Sequence, residues 1–202
     1  DLMAIPELCE QLAVDYYTIP KEERIGKVSI TASSSFFVPK PFTPFQWAAM
    51  NTEDEFLQKA HMVKDGFFKQ KNRKSLSYRY HDADLTIMEG IFARGDRKLA
   101  PAILQAYQAG CIFDAWHEMF HQELWNQAFA DNHIDTEFYT SREREVDEIL
   151  PWDFIDIGVS KQFFIKEWER AKRAEVTKNC KQQCSGCGAA VFGGGVCFEN
   201  KN

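Results

Sequence analysis

The chain has 202 residues, 45% hydrophobic and 27% charged, which suits a globular domain with an appendage. A net charge of −6 argues against blanket binding to nucleic-acid phosphate, though a local patch for RNA or protein stays open. No apolar run approaches the roughly 18 residues that cross a bilayer, and the opening residues carry no signal-peptide pattern. A cytoplasmic protein with no membrane partner is therefore the expectation.

Ile5, Leu8, Leu12 and Tyr16 recur at helical spacing and predict an amphipathic first helix, ended by Pro20 and the charged stretch 21–24. Because this pattern starts almost at once after Asp1, the sequence reads as entering inside a larger domain. Residues 27–33 alternate as a strand, with Val28, Ile30 and Ala32 on one face and Ser29, Thr31 and Ser33 on the other. In a barrel the apolar set would meet helices, and the hydroxyl set would face a ligand-holding lumen. Pro39, Pro41 and Pro44 then force a stiff, extended loop over residues 36–47. Thr52 and Glu55 form a capping box ahead of a helix with Phe56, Ala60, Val63 and Phe67 on its buried face. A second strand follows at 76–81, so the order favours parallel α/β architecture.

Beyond Asp82 the pattern turns mostly helical, with candidates at 83–94, 97–109, 115–131 and 160–173 and breaks at Gly95 and Gly110. The Arg94-Gly95-Asp96 turn is expected to cap helices through its own polar side chains. His117-Glu-Met-Phe-His121 fits the H-E-x-x-H pattern of zinc metallopeptidases on a predicted helix. There Trp116, Phe120, Leu124 and Ala128 would mark the buried arc, with both histidines in or beside it and Glu118 toward solvent. His133, Glu137 or Glu143 could be argued as a third ligand, but the packed-helix reading outweighs catalysis.

Six cysteines are spread unevenly: Cys9 and Cys111 stand alone, while Cys180, Cys184, Cys187 and Cys197 crowd the end. A secreted disulfide scaffold would distribute them, so a metal site in a cytosolic protein is the better reading. Short spacings let several sulfurs converge on one centre, and thiolates select zinc or iron–sulfur clusters. Gly186, Gly188 and Gly193 to Gly195 permit the tight turns this requires. Lys172, Arg173, Lys178 and Lys181 favour thiolate over thiol nearby. A tail of free thiols is the plain alternative, and spacing does not separate an auxiliary iron–sulfur cluster from a structural zinc.

Three segments, residues 37–47, 91–97 and 150–160, stand together with the terminal cysteines. They resemble the C-terminal part of the large radical S-adenosylmethionine (SAM) proteins that carry an N-terminal cobalamin-binding-type domain. The resemblance implies an α/β fold, with C-terminal strand–helix units of a partial (βα) barrel in residues 1–82, a helical extension in 83–174 and a cysteine-rich metal-binding tail in 175–202. It implies a full-length protein that binds a 4Fe-4S cluster and SAM, with cobalamin possible, and that cleaves SAM to a 5′-deoxyadenosyl radical. The substrate, RNA, protein or small molecule, is left open, and the upstream remainder of the same polypeptide becomes the expected partner. The proline-rich exit loop would lie at the catalytic face, making Lys40, Thr43 and Gln46 candidate pocket residues, with His81 a weaker one. A structural brace is an equal reading of that loop. The upstream Cys-x3-Cys-x2-Cys motif that holds the SAM-cleaving cluster is missing from these residues, so this chain alone is expected to be inactive. The alternatives are a standalone zinc-binding interaction module and, less favoured, a zinc peptidase using His117 and His121.

Overall fold

The computed structural model describes residues 1–193. Their contacts fall into two compact units. The first unit comprises Asp1–Val38, Asn51–Glu89 and Ala100–Ile134, and the second comprises Pro39–Met50, Gly90–Leu99 and the described residues from Asp135 onward.

The first unit is built on one strand–helix–strand passage. Strand β1 (Ile30–Ser34) and strand β2 (Leu76–Tyr80) pair in parallel, with Ile30 opposite Leu76 and Ser34 opposite Tyr80. Parallel neighbours need a crossover, and α2 (Glu53–Phe68) supplies it. The capping box forms as expected: the Glu55 backbone donates to Thr52 Oγ1 at 3.3 Å, and the Thr52 backbone donates to Glu55 Oε2 at 2.9 Å. The Thr52 N–H, with the Asn51 side chain donating to the same oxygen, holds the Glu55 carboxyl below its ordinary range. Phe56, Ala60, Val63 and Phe67 are all buried, matching the predicted face. Ile30, Ala32, Leu76 and Tyr78 pack with Val63, Phe67 and Cys9, and Phe67 stacks on Tyr78 with ring centroids 5.5 Å apart. The alternation thus holds over residues 30–34, but residues 27–29 lie outside the strand. Thr31 and Ser33 are exposed, with Thr31 Oγ1 2.7 Å from Ser77 Oγ.

Helix α1 (Ala4–Tyr17) covers this core, with a different stripe from the one predicted. Pro6, Cys9 and Ala13 are buried, whereas Leu8 and Leu12 are 63% and 50% exposed. The reason is close packing. A Cβ on Gly66 of α2 would stand 2.7 Å from Met3 Cε and 2.8 Å from Pro6 Cγ, so the bare glycine is what admits Met3 and Pro6 against α2. Burial also raises the Cys9 thiol pKa.

Helices α3 (Ala83–Arg94) and α4 (Ala100–Gln108) match expectation, with a 3-10 turn at Arg97–Leu99 before α4. The 115–131 helix does not form as predicted. Helix α5 is Gln122–Asp131; ahead of it stands a single 3-10 turn, His117–Met119, flanked by Trp116 and Phe120 in extended conformation. Trp, His and Phe are middling helix formers. The buried periodicity that carries α5 is Trp125, Ala128 and Phe129, so Trp116 is 57% exposed rather than part of a buried arc.

In the second unit α6 (Thr136–Tyr139) and α7 (Lys161–Lys172) join a core made largely from loops. Trp47, Ala48, Leu150 and Trp152 pack with Phe164 and Trp168 of α7. Backbone bonds tie the loops: Arg144 N–H donates to the Trp47 carbonyl at 2.9 Å, and Met50 N–H to the Thr140 carbonyl at 3.0 Å. The described residues thus form a mostly helical α/β fold with seven α-helices and a two-stranded parallel sheet. A partial barrel is more than this sheet amounts to. Among them, no helix is long and apolar enough to cross a membrane.

Candidate metal centre

The cysteine segment is reached through the end of α7. Ser160 caps that helix, accepting from Phe163 N–H at 3.2 Å. At the other end, Glu175 N–H donates to the Arg170 carbonyl and Ala174 N–H to the Ala171 carbonyl, each at 3.0 Å. This pattern is a Schellman motif, with Ala174 in the left-handed position at φ 55°. The chain therefore reverses, and Thr177 returns to the flank of α7. Its hydroxyl donates to Glu167 and accepts from Arg170 Nη1 at 3.2 Å.

Asn179 opens the next turn, its Oδ1 accepting from Lys181 N–H at 3.0 Å and Gln182 N–H at 3.2 Å. Cys180 and Cys184 are exposed and Cys187 is half-buried; all three are free thiols. Gly186 and Gly188 adopt φ of 71° and 101°, which glycine accommodates without strain. The second lets Ala189 N–H donate to Cys187 Sγ at 3.4 Å. Backbone N–H donors commonly accompany ligating cysteine sulfurs, so the contact is compatible with a ligand role for Cys187. The segment is anchored as well, since Ser160 N–H donates to the Cys187 carbonyl at 3.0 Å. A Cβ on Gly188 would lie 2.7 Å from the Gly158 carbonyl oxygen, so this approach requires glycine.

No three His, Cys, Asp or Glu side chains stand close enough to hold a metal among the described residues, and Cys197 lies outside them. By donor chemistry, Cys180, Cys184 and Cys187 fit a thiolate-bound zinc or iron–sulfur centre. A cleft of about 470 Å³ lies against Cys184 and Ser185, with Lys166, Arg170 and Lys178 in its wall.

The loop candidates divide between the two units: Lys40, Thr43 and Gln46 belong to the second and His81 to the first. Lys40 is exposed, and its carbonyl accepts from Thr43 Oγ1 at 2.8 Å. Gln46 is only 3% exposed, and its Oε1 accepts from Trp152 Nε1 at 2.7 Å and from Phe42 N–H at 3.2 Å. Phe42 sits at φ 58°, a conformation unfavourable to a bulky residue, so Gln46 braces the loop at its strained point. Gln46 also lines a second cleft, of about 370 Å³, together with Trp152, Ser160 and Lys161. His81 is exposed just past β2, where its backbone N–H donates to the Ser34 carbonyl at 3.2 Å.

His117 and His121 do not share a helical face. The first lies in the isolated 3-10 turn and the second precedes α5. Their Nδ1 atoms face different carboxylates, Asp82 at 3.4 Å and Glu123 at 3.5 Å, and both rings are largely exposed. The expectation of a helical H-E-x-x-H is overturned.

Sequence reasoning missed a polar cluster in the second unit. Arg94 is fully buried and donates from Nη1 to the Thr140 carbonyl at 3.0 Å, and Arg144 donates from Nη2 to the Arg94 carbonyl at 3.0 Å. Burial, then the positive charges of Arg144 and Arg142, press the Arg94 pKa down to about 10. Burial likewise lowers that of Arg144. Arg142 is held by two hydrogen bonds to Glu148, both 2.8 Å, which keep the Glu148 carboxyl below its ordinary range. In the Arg94-Gly95-Asp96 turn only Asp96 caps, accepting from Lys98 N–H at 2.8 Å; Arg94 is a core strut instead. Its place on the apolar side of α3, three residues after buried Ile91, was the available signal.

No family model, curated protein or solved structure matches the chain.

Proposed function

We propose that this chain is the C-terminal region of a radical SAM iron–sulfur enzyme, and that its terminal cysteines hold an auxiliary cluster. The observation that carries the reading is the Cys184–Ala189 turn. There C-x-x-C-G spacing, two left-handed glycines and a backbone N–H on Cys187 Sγ coincide. The parallel strand–helix–strand passage and the proline-rich loop after β1 are compatible with late strand–helix units of a partial barrel. On this reading the Gln46-braced loop contributes to a SAM or substrate pocket in the full-length protein, where cobalamin is an optional further cofactor. When bound, a terminal cluster supplies one-electron chemistry. The chain's own residues hold it with sulfur, direct an N–H at one thiolate and surround it with basic side chains.

A zinc-binding interaction module is the second reading, favoured by the same turn, because tetrathiolate zinc uses the same spacing. Metal analysis of the anaerobically purified chain decides between them. The proposal expects iron with acid-labile sulfide, about four irons per chain, and a broad visible absorption, all lost in Cys184→Ala and Cys187→Ala. One zinc per chain, lost with the same changes, replaces the cluster with the module. Zinc that survives both changes and disappears in His117→Ala would place the metal away from the cysteines and remove both readings of the tail. Chain free of both metals after reconstitution removes the metal centre altogether. The wider reading is tested separately, by asking whether the parent reading frame encodes Cys-x3-Cys-x2-Cys upstream and whether its product forms 5′-deoxyadenosine from SAM under reduction.

A further inference from the structure

We propose that the basic face of α7 and the reversal after it bind the phosphate backbone of a single-stranded nucleic acid. The inference deepens the reading above by naming a substrate class, and rests on it only for the chemistry that would follow binding.

Charge is distributed against the chain's average. Residues 161–202 hold eight Lys and Arg against four Glu, in a protein whose net charge is −6. A polyanion is therefore repelled by most of the molecule and drawn to this end. Several of these cations are committed: Lys172 pairs with Glu143 and Glu169, Arg173 with Glu175, and Arg170 with Glu167. Lys166, Lys178 and Lys181 are exposed, and none has a carboxylate within ion-pair distance among the described residues.

These charges frame a place to bind. Lys166, Arg170 and Lys178 stand in the wall of the 470 Å³ cleft, with Thr177, Gln183 and Ser185 adding hydrogen-bonding groups. Its single carboxylate, Glu175, is occupied by Arg173 at 2.7 and 3.3 Å. Lys166 and Lys178 present two uncommitted cations to the cleft, and exposed Lys181 follows Lys178 by three residues in the chain. Separate, uncommitted cations match successive phosphates better than they match one compact anion. Val176, in the same wall, is 94% exposed and adds a small apolar surface beside the cations.

The test is fluorescence anisotropy of the whole chain with a labelled ten-nucleotide oligouridylate, with metal content assayed on the same sample. Affinity is expected to fall with added salt at a log–log slope of about −2, for three phosphate contacts on a single strand. The combined change Lys166→Glu, Lys178→Glu and Lys181→Glu should weaken binding at least about tenfold. Lys21→Glu, an exposed lysine of the first unit, should leave binding unchanged. Should the triple variant fail to fold, Lys178→Gln alone should still weaken binding about twofold. Absence of binding at low salt overturns the proposal, as does a triple variant that binds like the parent. Displacement by inorganic phosphate beyond the effect of equal ionic strength also overturns it, by pointing to a single-phosphate ligand. Nucleic-acid binding that persists in chain unable to take up iron or zinc would sustain this inference while removing the metal-centre reading.

Discussion

The two units solve the same packing problem with different materials. In the first, helix and strand periodicity bring Val63, Phe67, Ile30 and Tyr78 together, and apolar contact makes the core. In the second, an aromatic core built largely from loops is accompanied by buried polar contacts: Gln46 accepts from Trp152 Nε1, Arg94 donates to the Thr140 carbonyl, and Arg144 donates to the Arg94 carbonyl. A periodic core tolerates volume-conserving change, whereas a core ordered by buried donors and acceptors depends on each partner. The difference assigns each unit its own weak point.

The largest effect should come from the periodic core. Phe67→Ala removes a buried ring and its stack on Tyr78, with an expected loss of about 3–4 kcal/mol in urea unfolding. A loss under 1 kcal/mol would mean that this core is not what holds the first unit. Gln46→Leu keeps the volume but leaves Trp152 Nε1 and Phe42 N–H without their acceptor. It should cost about 2 kcal/mol; a neutral or stabilising result would erase the distinction between the units. Glu148→Gln gives the smallest effect and sharpens the comparison through pH. Because the Arg142 hydrogen bonds depress the folded-state pKa of Glu148, its stabilisation is present above the unfolded value and lost as pH falls through the folded one. Parent and variant should differ by about 1 kcal/mol at pH 7 and converge under acid. A gap that stays constant down to pH 3 would break the assignment.

Legibility followed the same divide. The α2 face and its capping box could be read from Thr52, Glu55 and the 3.6-residue period, because local rules and tertiary packing agree there. The α1 stripe was misplaced because large residues were weighted over Pro6, Cys9 and Ala13, and the seat that Gly66 leaves for Pro6, sixty positions away, is invisible to local periodicity. The H-E-x-x-H match failed because a motif of residue types carries no information about where the helix starts. In the tail the spacing pointed to sulfur ligation, but the N–H on Cys187 depends on a left-handed Gly188 that spacing cannot reveal. Arg94 was assigned to a capping turn and Arg144 went unread, since buried arginines are rare and their partners here are carbonyls, which every sequence contains.

The parallel register of β1 and β2 also bears on how the chain reaches this state. Thr31 and Ser77 meet although they stand 46 positions apart in the sequence, and closing a flexible loop of that length carries an entropic barrier of roughly 3 kcal/mol before any ladder bond compensates. Helix α2 lies inside the loop with its own start signal, so it can form early and shorten the span still to be closed. Strand pairing then becomes a late event in assembly, and the part of the loop that α2 leaves to be closed, rather than the helix itself, limits the speed of folding.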